Sequence, residues 1–361
     1  MTTRTDQPGP ADSDVQPVSV ELFQDADAAS WAAYVSAHPH GTLFHTLRWR
    51  DAIRGTFQHL DRYLVARKGA EICGILPLTK VSSVFFGTTM VSVPFGVYGG
   101  MLVDDEGTAR ALVDRARQLA TECGAKYVEM RHLHAPIDDL PRTNLYFTFI
   151  ADIPDSPEGC LQRIPRKARA EVRKSLADER LSFEEEGLEL KDFHRLFSLN
   201  KRRLGSPLFP SSLFWHLRNQ FQEDCRLHVV RAEGEVISAV MSFIHEGMIM
   251  PYYSGSVDDA DTNFRASNFM YYKLMEWASD RGLKRFDFGR SREDTGAYRF
   301  KKHQGFEPFN LSYDYILAGD DEIPSLNPSN PKYRIAQKLF RNLPLFAAQK
   351  LGSWLVKRAP F

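Results

Sequence analysis

The chain has 361 residues, 46 Lys and Arg against 46 Asp and Glu, 43% hydrophobic and 12% aromatic residues. That length predicts about two domains, and the balanced charge gives no global drive toward nucleic acid, so any anion site is local. Four scattered cysteines, Cys73, Cys123, Cys160 and Cys225, form no C-x-x-C pair; this excludes a thiolate zinc site or disulfide framework and fits a reducing cytoplasm.

The polar, Pro-rich residues 1–17 lack the signal-peptide pattern and are expected to be a disordered leader. No window approaches the ~18 apolar residues of a membrane span. VSVELF (18–23) predicts a strand, Asp25 can cap a helix through Trp31 and Val35, and a second helix is expected from Thr46 to about Phe57. LVARKGAEICGILPL (64–78) has the signature of a hairpin, followed by the strand TTMVSVPF (88–95) and the Gly-rich VYGG (97–100). Ala109, Leu112, Val113, Ala116 and Leu119 recur at helical spacing up to Gly124, and Lys126 to Leu133 predicts a buried strand.

The second half repeats this order. VVRAEGEVISAVMSF (229–243) parallels the first hairpin. Each long helix ends in a glycine that opens a similar strand, GAKYVEMR (124–131) and GLKRFDFGR (282–290), with an acid three residues after the lysine in both. The expected organisation is a leader (1–17), a first domain (18–155), a second domain with a helical insertion (156–318), and a linker with a basic tail (319–361). The insertion contains a basic helix from about Pro165 to Arg180, then 190–205 and 211–221.

The densest polar cluster is FDFGRSREDTGAYRFKKHQGFEP (286–308). Period two puts Phe286 and Phe288 on one face of a strand and Asp287 on the other, toward a cavity or a partner. Thr295 can cap a short helix carrying Tyr298, Lys301 and Lys302 within one turn. Strand ends of α/β proteins collect ligands. A solvated basic helix paired with Glu293, Asp294 and Glu307 is the plainer alternative.

The tandem halves, the phrase FDFGR and the helix with Tyr-Arg-Phe-Lys-Lys-x-x-Gly-Phe resemble the FemAB branch of GNAT-like acyltransferases over residues 20–317. WRDAI (49–53), GILPL (74–78), VSVPFGVYGGML (91–102) and the tail 326–346 resemble the subgroup associated with exosortase/PEP-CTERM systems. The resemblance implies an α/β (α+β) fold of two tandem GNAT-like domains, each a mixed, mainly antiparallel sheet flanked by helices. It also implies transfer of an acyl or aminoacyl group to an amine of an envelope or exopolysaccharide precursor. By the same resemblance, Phe300-Lys301 matches the Phe-Lys position, with the Lys301 ammonium stabilising the oxyanion of the transferred carbonyl. Asp287 could orient the amine or accept its proton, or pair structurally with Arg290 or Arg299. Tyr298 and Arg290 are expected to shape the site, with Arg299 beside them.

GNAT domains that bind acetyl-CoA hold its pyrophosphate on a Gly-rich loop at a helix start; here NFRASNFMYYK (263–273) keeps Arg265 but lacks the glycines. The donor is therefore either acyl-CoA or aminoacyl-tRNA, with no tightly bound cofactor. Arg166, Arg169 and Arg173 share a helix face that could bind phosphate of tRNA or of a nucleotide-linked or lipid-linked sugar acceptor, or could simply be solvated. Trp49, Tyr98, Gly99 and Gly100 could line an acceptor cleft, although aromatic residues are more often core. The histidines show no H-E-x-x-H pattern, so no metal site is expected. Residues 332–358 are basic and amphipathic without an acid, suiting peripheral contact with the inner membrane surface or docking on the protein itself. The predicted location is cytoplasmic. An acyl-CoA-dependent amino-sugar N-acyltransferase and a non-catalytic scaffold for polysaccharide machinery remain as rivals.

Overall fold

The computed structural model describes residues 17–83, 87–135, 137–318, 323, 337, 338 and 340–358. The expected leader (all but Pro17), most of the linker, and the basic residues Lys332 and Arg334 of the tail lie outside the described residues.

The first half runs β1 (Val18–Leu22), α1 (Ala28–Ala37), α2 (Leu47–Phe57), β2 (Leu60–Asp61), the hairpin β3 (Leu64–Lys68) and β4 (Glu71–Leu76), β5 (Thr79–Ser83), β6 (Gly87–Ser92), β7 (Leu102–Val103), α3 (Glu106–Cys123), β8 (Tyr127–His132), β9 (Arg142–Thr148) and β10 (Ile150–Asp152). The second half has α4 (Pro157–Arg163), α5 (Arg166–Leu176), β11 (Leu181–Glu185), α6 (Leu190–Leu204), α7 (Ser211–Phe221), the hairpin β12 (Cys225–Ala232) and β13 (Glu235–His245), and β14 (Met248–Ser256). It continues through α8 (Ala260–Phe264), α9 (Ala266–Asp280), β15 (Arg285–Asp287), β16 (Ser291–Arg292), α10 (Gly296–His303), β17 (Phe309–Leu317) and α11 (Leu345–Val356).

The long helices form for the reasons the spacing predicts. In α3 the Asp105 side chain accepts from the Thr108 amide at 2.8 Å, and Ala109, Leu112, Val113, Ala116 and Leu119 are buried. In α9 the buried stripe is Phe269, Met270, Leu274, Met275 and Ala278.

Three sheets result: β1-β3-β4-β7, β10-β15-β14-β13-β12-β11, and β16-β9-β17-β8-β6-β5-β2. The described parallel pairings are β6–β8 and β14–β15; the others are antiparallel. The fold is thus the mixed, mainly antiparallel α/β architecture expected, with an exchange of strands between the halves. β17, which follows the second crossover helix, inserts between β8 and β9 in the first half's sheet, with Tyr313 opposite Arg131. Reciprocally, β10 pairs with β15, with Ile150 opposite Asp287.

One apolar cluster crosses between the halves, joining Phe44, Trp49, Phe57 and Tyr98 to Phe197, Phe214, Phe243 and Tyr253 and to Tyr313 on β17. Arg48 and Asp224 bridge the same junction at 2.8 Å. Burial on this scale stabilises by roughly 25 cal/mol per Å² of apolar surface, so the halves are bound by core packing as well as by hydrogen bonds.

Candidate functional site

The strand β15 ends in a tight turn. Gly289 sits at φ +66°, a conformation costly for side chains with a Cβ, and the turn is gripped from both sides. Asp287 Oδ1 accepts from the Gly289 amide at 2.7 Å and from Thr148 Oγ1 at 3.0 Å. Lys301 Nζ, from α10, donates to the carbonyls of Phe288 (2.6 Å), Gly289 (2.8 Å) and Arg290 (3.3 Å). α10 is set by Thr295, whose hydroxyl accepts from the Tyr298 amide. Asp287 is fully buried, and burial pushes its carboxyl up to about 7 although Lys301 opposes this. Burial likewise pushes the Lys301 ammonium down to about 8, against the pull of Asp287. The Asp287 Oδ2 atom is buried with no hydrogen-bond partner among the described residues.

Lys301 therefore does not present itself as expected. Its three ammonium hydrogens go to backbone carbonyls, and a group so engaged holds the turn rather than facing an oxyanion. Asp287 points away from Phe286 and Phe288 as period two predicts, but onto Thr148 of β9, a first-half strand, rather than an open cavity.

The turn delivers Arg290 to the junction of the halves. Its Nη1 donates to Tyr313 Oη at 2.9 Å, and its guanidinium lies 4.5 Å from the Tyr146 ring centre. Tyr313 Oη donates to the Val97 carbonyl and Tyr252 Oη to the Phe95 carbonyl, both at 2.6 Å. Phe95 adopts φ +61°, a strained setting for a side-chain-bearing residue, held by that bond and by stacking on Phe57. Arg131 donates to the Val93 and Gly96 carbonyls and forms a buried 2.6 Å pair with Glu129. Lys201, at the end of α6, places its ammonium 5.3 Å from the Phe197 ring centre. Burial, then Arg290, lowers its pKa. Among the described residues neither Arg290 nor Lys201 has a carboxylate partner.

The other expected site residues divide. Phe300 packs on Tyr271 and Phe288, and Tyr298 on Phe147 and Phe149, so both support the turn. Arg299 is exposed, donating to the Asp294 carbonyl. On α5, Arg169 folds back to the Ile164 carbonyl at 3.0 Å while Arg173 stays exposed, so the arginines do not act as one stripe. Trp49 is fully buried, its Nε1 donating to the Pro94 carbonyl; it belongs to the core, because an indole this large is best accommodated there. Tyr98, Gly99 and Gly100 line a separate cavity with histidines. Sequence reasoning misses Lys201, Tyr146, Tyr313 and Arg131; the last three lie on strands β9, β17 and β8, which the strand exchange brings side by side.

The α9 start is occupied by the chain's own Asp261, which accepts from the Ser267 amide at 2.7 Å and its hydroxyl at 2.9 Å. Arg265 pairs with Glu171 at 2.7 Å. The cavity beside them, lined by Ser254, Gly255, Ser256 and Ser267, holds about 50 Å³. Among the described residues no group of three His, Cys, Asp or Glu is placed to hold a metal ion, and no helix is long and apolar enough to cross a membrane.

Residues 162–302 match the family described as an acetyltransferase (GNAT) domain. No curated protein matches the chain by sequence. Among solved structures, FemX is similar at 16% identity and a TM-score of 0.63, over 88% of this chain and all of FemX. The C-terminal domain of a putative lysylphosphatidylglycerol synthetase from Agrobacterium fabrum is similar at 14% identity and a TM-score of 0.51, over 80% of this chain and 91% of that one. A tandem GNAT protein from the clavulanic acid biosynthesis pathway gives 12% identity and a TM-score of 0.52, over 85% of this chain and all of the other. Residues 162–302 are thus similar to a GNAT acetyltransferase domain, and the fold is similar to that of FemX and of a tandem GNAT protein.

Proposed function

We propose that the chain is an acyltransferase of FemAB-like type that moves an acyl or aminoacyl group directly onto an amine of a cell-envelope or exopolysaccharide precursor, in the cleft between its halves. The observation that carries this reading is the junction itself: Arg290, with no carboxylate partner among the described residues, stands among the phenols of Tyr146, Tyr252 and Tyr313, and Lys201 lies within reach of its charge. Cations so placed suit the charge of an acceptor or of a tetrahedral intermediate.

In the reaction the amine nitrogen bonds to the carbonyl carbon of an ester or thioester, the C–O or C–S bond breaks, and the alcohol or thiol leaves. The amine proton passes to the departing oxygen or sulfur, while Asp287, buried against Thr148 and the Gly289 amide, helps hold the turn that carries Arg290. Lys301 is a positioning residue that holds the turn carrying Arg290. The carboxylate at the α9 start and the small adjoining cavity favour aminoacyl-tRNA over acyl-CoA as donor. The association with exosortase systems rests on the sequence resemblance, and the cytoplasmic location on the scattered cysteines.

Contact with an anionic membrane surface through the tail belongs to the same reading: on α11, Ala348, Gly352 and Val356 face inward while Phe346 is 67% exposed near Lys350 and Lys357.

The test is incubation of the purified chain with charged tRNA, acetyl-CoA or long-chain acyl-CoA and an amine-bearing sugar acceptor, scoring new amide by mass spectrometry. Amide formation that falls about 10²-fold in Arg290→Met supports the reading. Amide formation from an acyl-CoA alone would favour the amino-sugar N-acyltransferase, and no amide from any donor would favour the scaffold.

A further inference from the structure

The first half opens a cavity of its own where its strands part. β7 ends the four-stranded sheet while β8 lies in the seven-stranded one, so the edge of residues 99–103 faces a gap of about 260 Å³. Imidazoles stand in for the missing strand: Met101 N donates to His132 Nε2 at 3.2 Å, His38 Nε2 meets the Val103 carbonyl at 3.2 Å, and His45 Nε2 meets the Gly100 carbonyl at 3.0 Å. Gly100 is required there, since a Cβ would lie 2.1 Å from the His132 ring. At the rim His40 and His134 pack ring on ring, 4.4 Å between centres. Tyr98 lines the cavity fully buried, and its hydroxyl has no hydrogen-bond partner among the described residues. The exposed rim imidazoles His40 and His134, which line the same cavity, are side chains that a ligand there would meet.

We propose that this cavity is a second binding site, for an uncharged polyhydroxylated ligand of the sugar class. An anion is disfavoured because Asp104, Asp105 and Glu106 line the mouth. The cations beside them are already committed, Lys68 to Asp105 and Arg110 to Glu106 and Asp139. A cation is disfavoured for the converse reason: these carboxylates are engaged, Asp104 by Tyr34 Oη at 2.8 Å, Asp105 by Lys68 and Glu106 by Arg110. Burial, with neighbouring histidines, keeps His40 and His134 below the usual imidazole range, so these rim rings stay neutral and can both donate and accept, whereas His45 is already engaged by Thr42 and Gly100. What remains is a ligand rich in both donors and acceptors with C–H faces, for which Met101, Leu102 and Leu133 supply apolar wall.

The segment 93–100 is the shared wall of two sites. Its carbonyls at 95–97 meet Tyr252, Arg131 and Tyr313 in the transfer cleft, and its residues 98–100 line this cavity. The inference stands apart from the transfer reading, because sugar binding here requires no catalysis.

Ligand-observed NMR of the full chain with N-acetylglucosamine, and separately with glucose, tests it. The expected result is saturable binding of at least one sugar, weakened about tenfold in His40→Ala and in His134→Ala and unchanged in Arg290→Met. His40 and His134 are exposed, so both variants should fold, as a thermal melt would check. No saturable binding, or binding indifferent to both cavity variants, overturns the proposal; loss confined to Arg290→Met moves the sugar to the cleft and also overturns it.

Discussion

The two crossovers, β6 to β8 through α3 and β14 to β15 through α9, begin as the same device and end differently. Each helix stops at a glycine, each following strand carries an acid three residues after a lysine, and each acid is buried. In the first half Glu129 is neutralised by Arg131 two residues on, at 2.6 Å, with Tyr315 Oη completing its shell at 3.2 Å. In the second half Asp287 has no arginine: it accepts from an amide and a hydroxyl, one oxygen is left over, and burial lifts its pKa to about 7. The same position serves as a structural ion pair in one copy and a titratable group in the other. The space around the helices divides the opposite way, about 260 Å³ beside α3 and about 50 Å³ beside α9.

The largest effect expected comes from breaking the first copy. Arg131→Met leaves Glu129 buried and unpaired and should cost about 3–5 kcal/mol in denaturant unfolding. Adding Glu129→Gln should recover much of that loss; a single variant as stable as the wild type would show that the pair is not structural.

The second effect is pH-dependent and belongs to Asp287. Its folded pKa is raised, so between about pH 4 and 7 the folded state holds a proton that the unfolded state has released, and stability falls as pH rises through that window. Lys301, lowered to about 8, works the other way, with stability recovering as pH rises from about 8 toward its unfolded value. Asp287→Asn should abolish the decline below pH 7, a change on the order of a few kcal/mol across the window. An unchanged pH profile would place the carboxyl in the ordinary range.

Lys301→Met should cost about 1–3 kcal/mol, because three carbonyls lose their donor, and should loosen the Arg290 turn. Transfer should fall with it, and Lys301→Arg should not rescue, since a guanidinium does not fit a three-carbonyl nest. Stability unaltered beside lost transfer would restore Lys301 as a group that faces the substrate. The smallest effect is at the tail, where Phe346→Ser should change stability by less than about 0.5 kcal/mol yet reduce cosedimentation with anionic vesicles.

Much of this comparison is legible in the residues. The hairpins, the helix ends at Gly124 and Gly205, the cap at Thr295 and the recurrence of G-x-K with its acid are local signals, and local hydrogen bonding decides them. The strand exchange is not legible, because which strand accepts β17 depends on contacts far apart in sequence. For that reason Tyr313 and Arg131, on neighbouring strands, carry no local signal, whereas Arg290 lies within the polar cluster 286–308. Trp49 and Tyr98 illustrate another limit: glycine-rich and aromatic stretches mark close approach, but not whether core, cleft or cavity lies beside them. The contacts of Lys301 are hidden for a related reason, since the spacing of Phe300-Lys301 says nothing of the carbonyls that fill its donors.

The most direct test of the divergence is the carboxyl titration of Asp287, followed by ¹³C NMR in the wild type and in Lys301→Met. The account predicts a midpoint near 7 in the wild type and a higher one in the variant, where the opposing ammonium is gone. A midpoint in the ordinary aspartate range, near 4, would contradict it and would make the second acid as structural as the first.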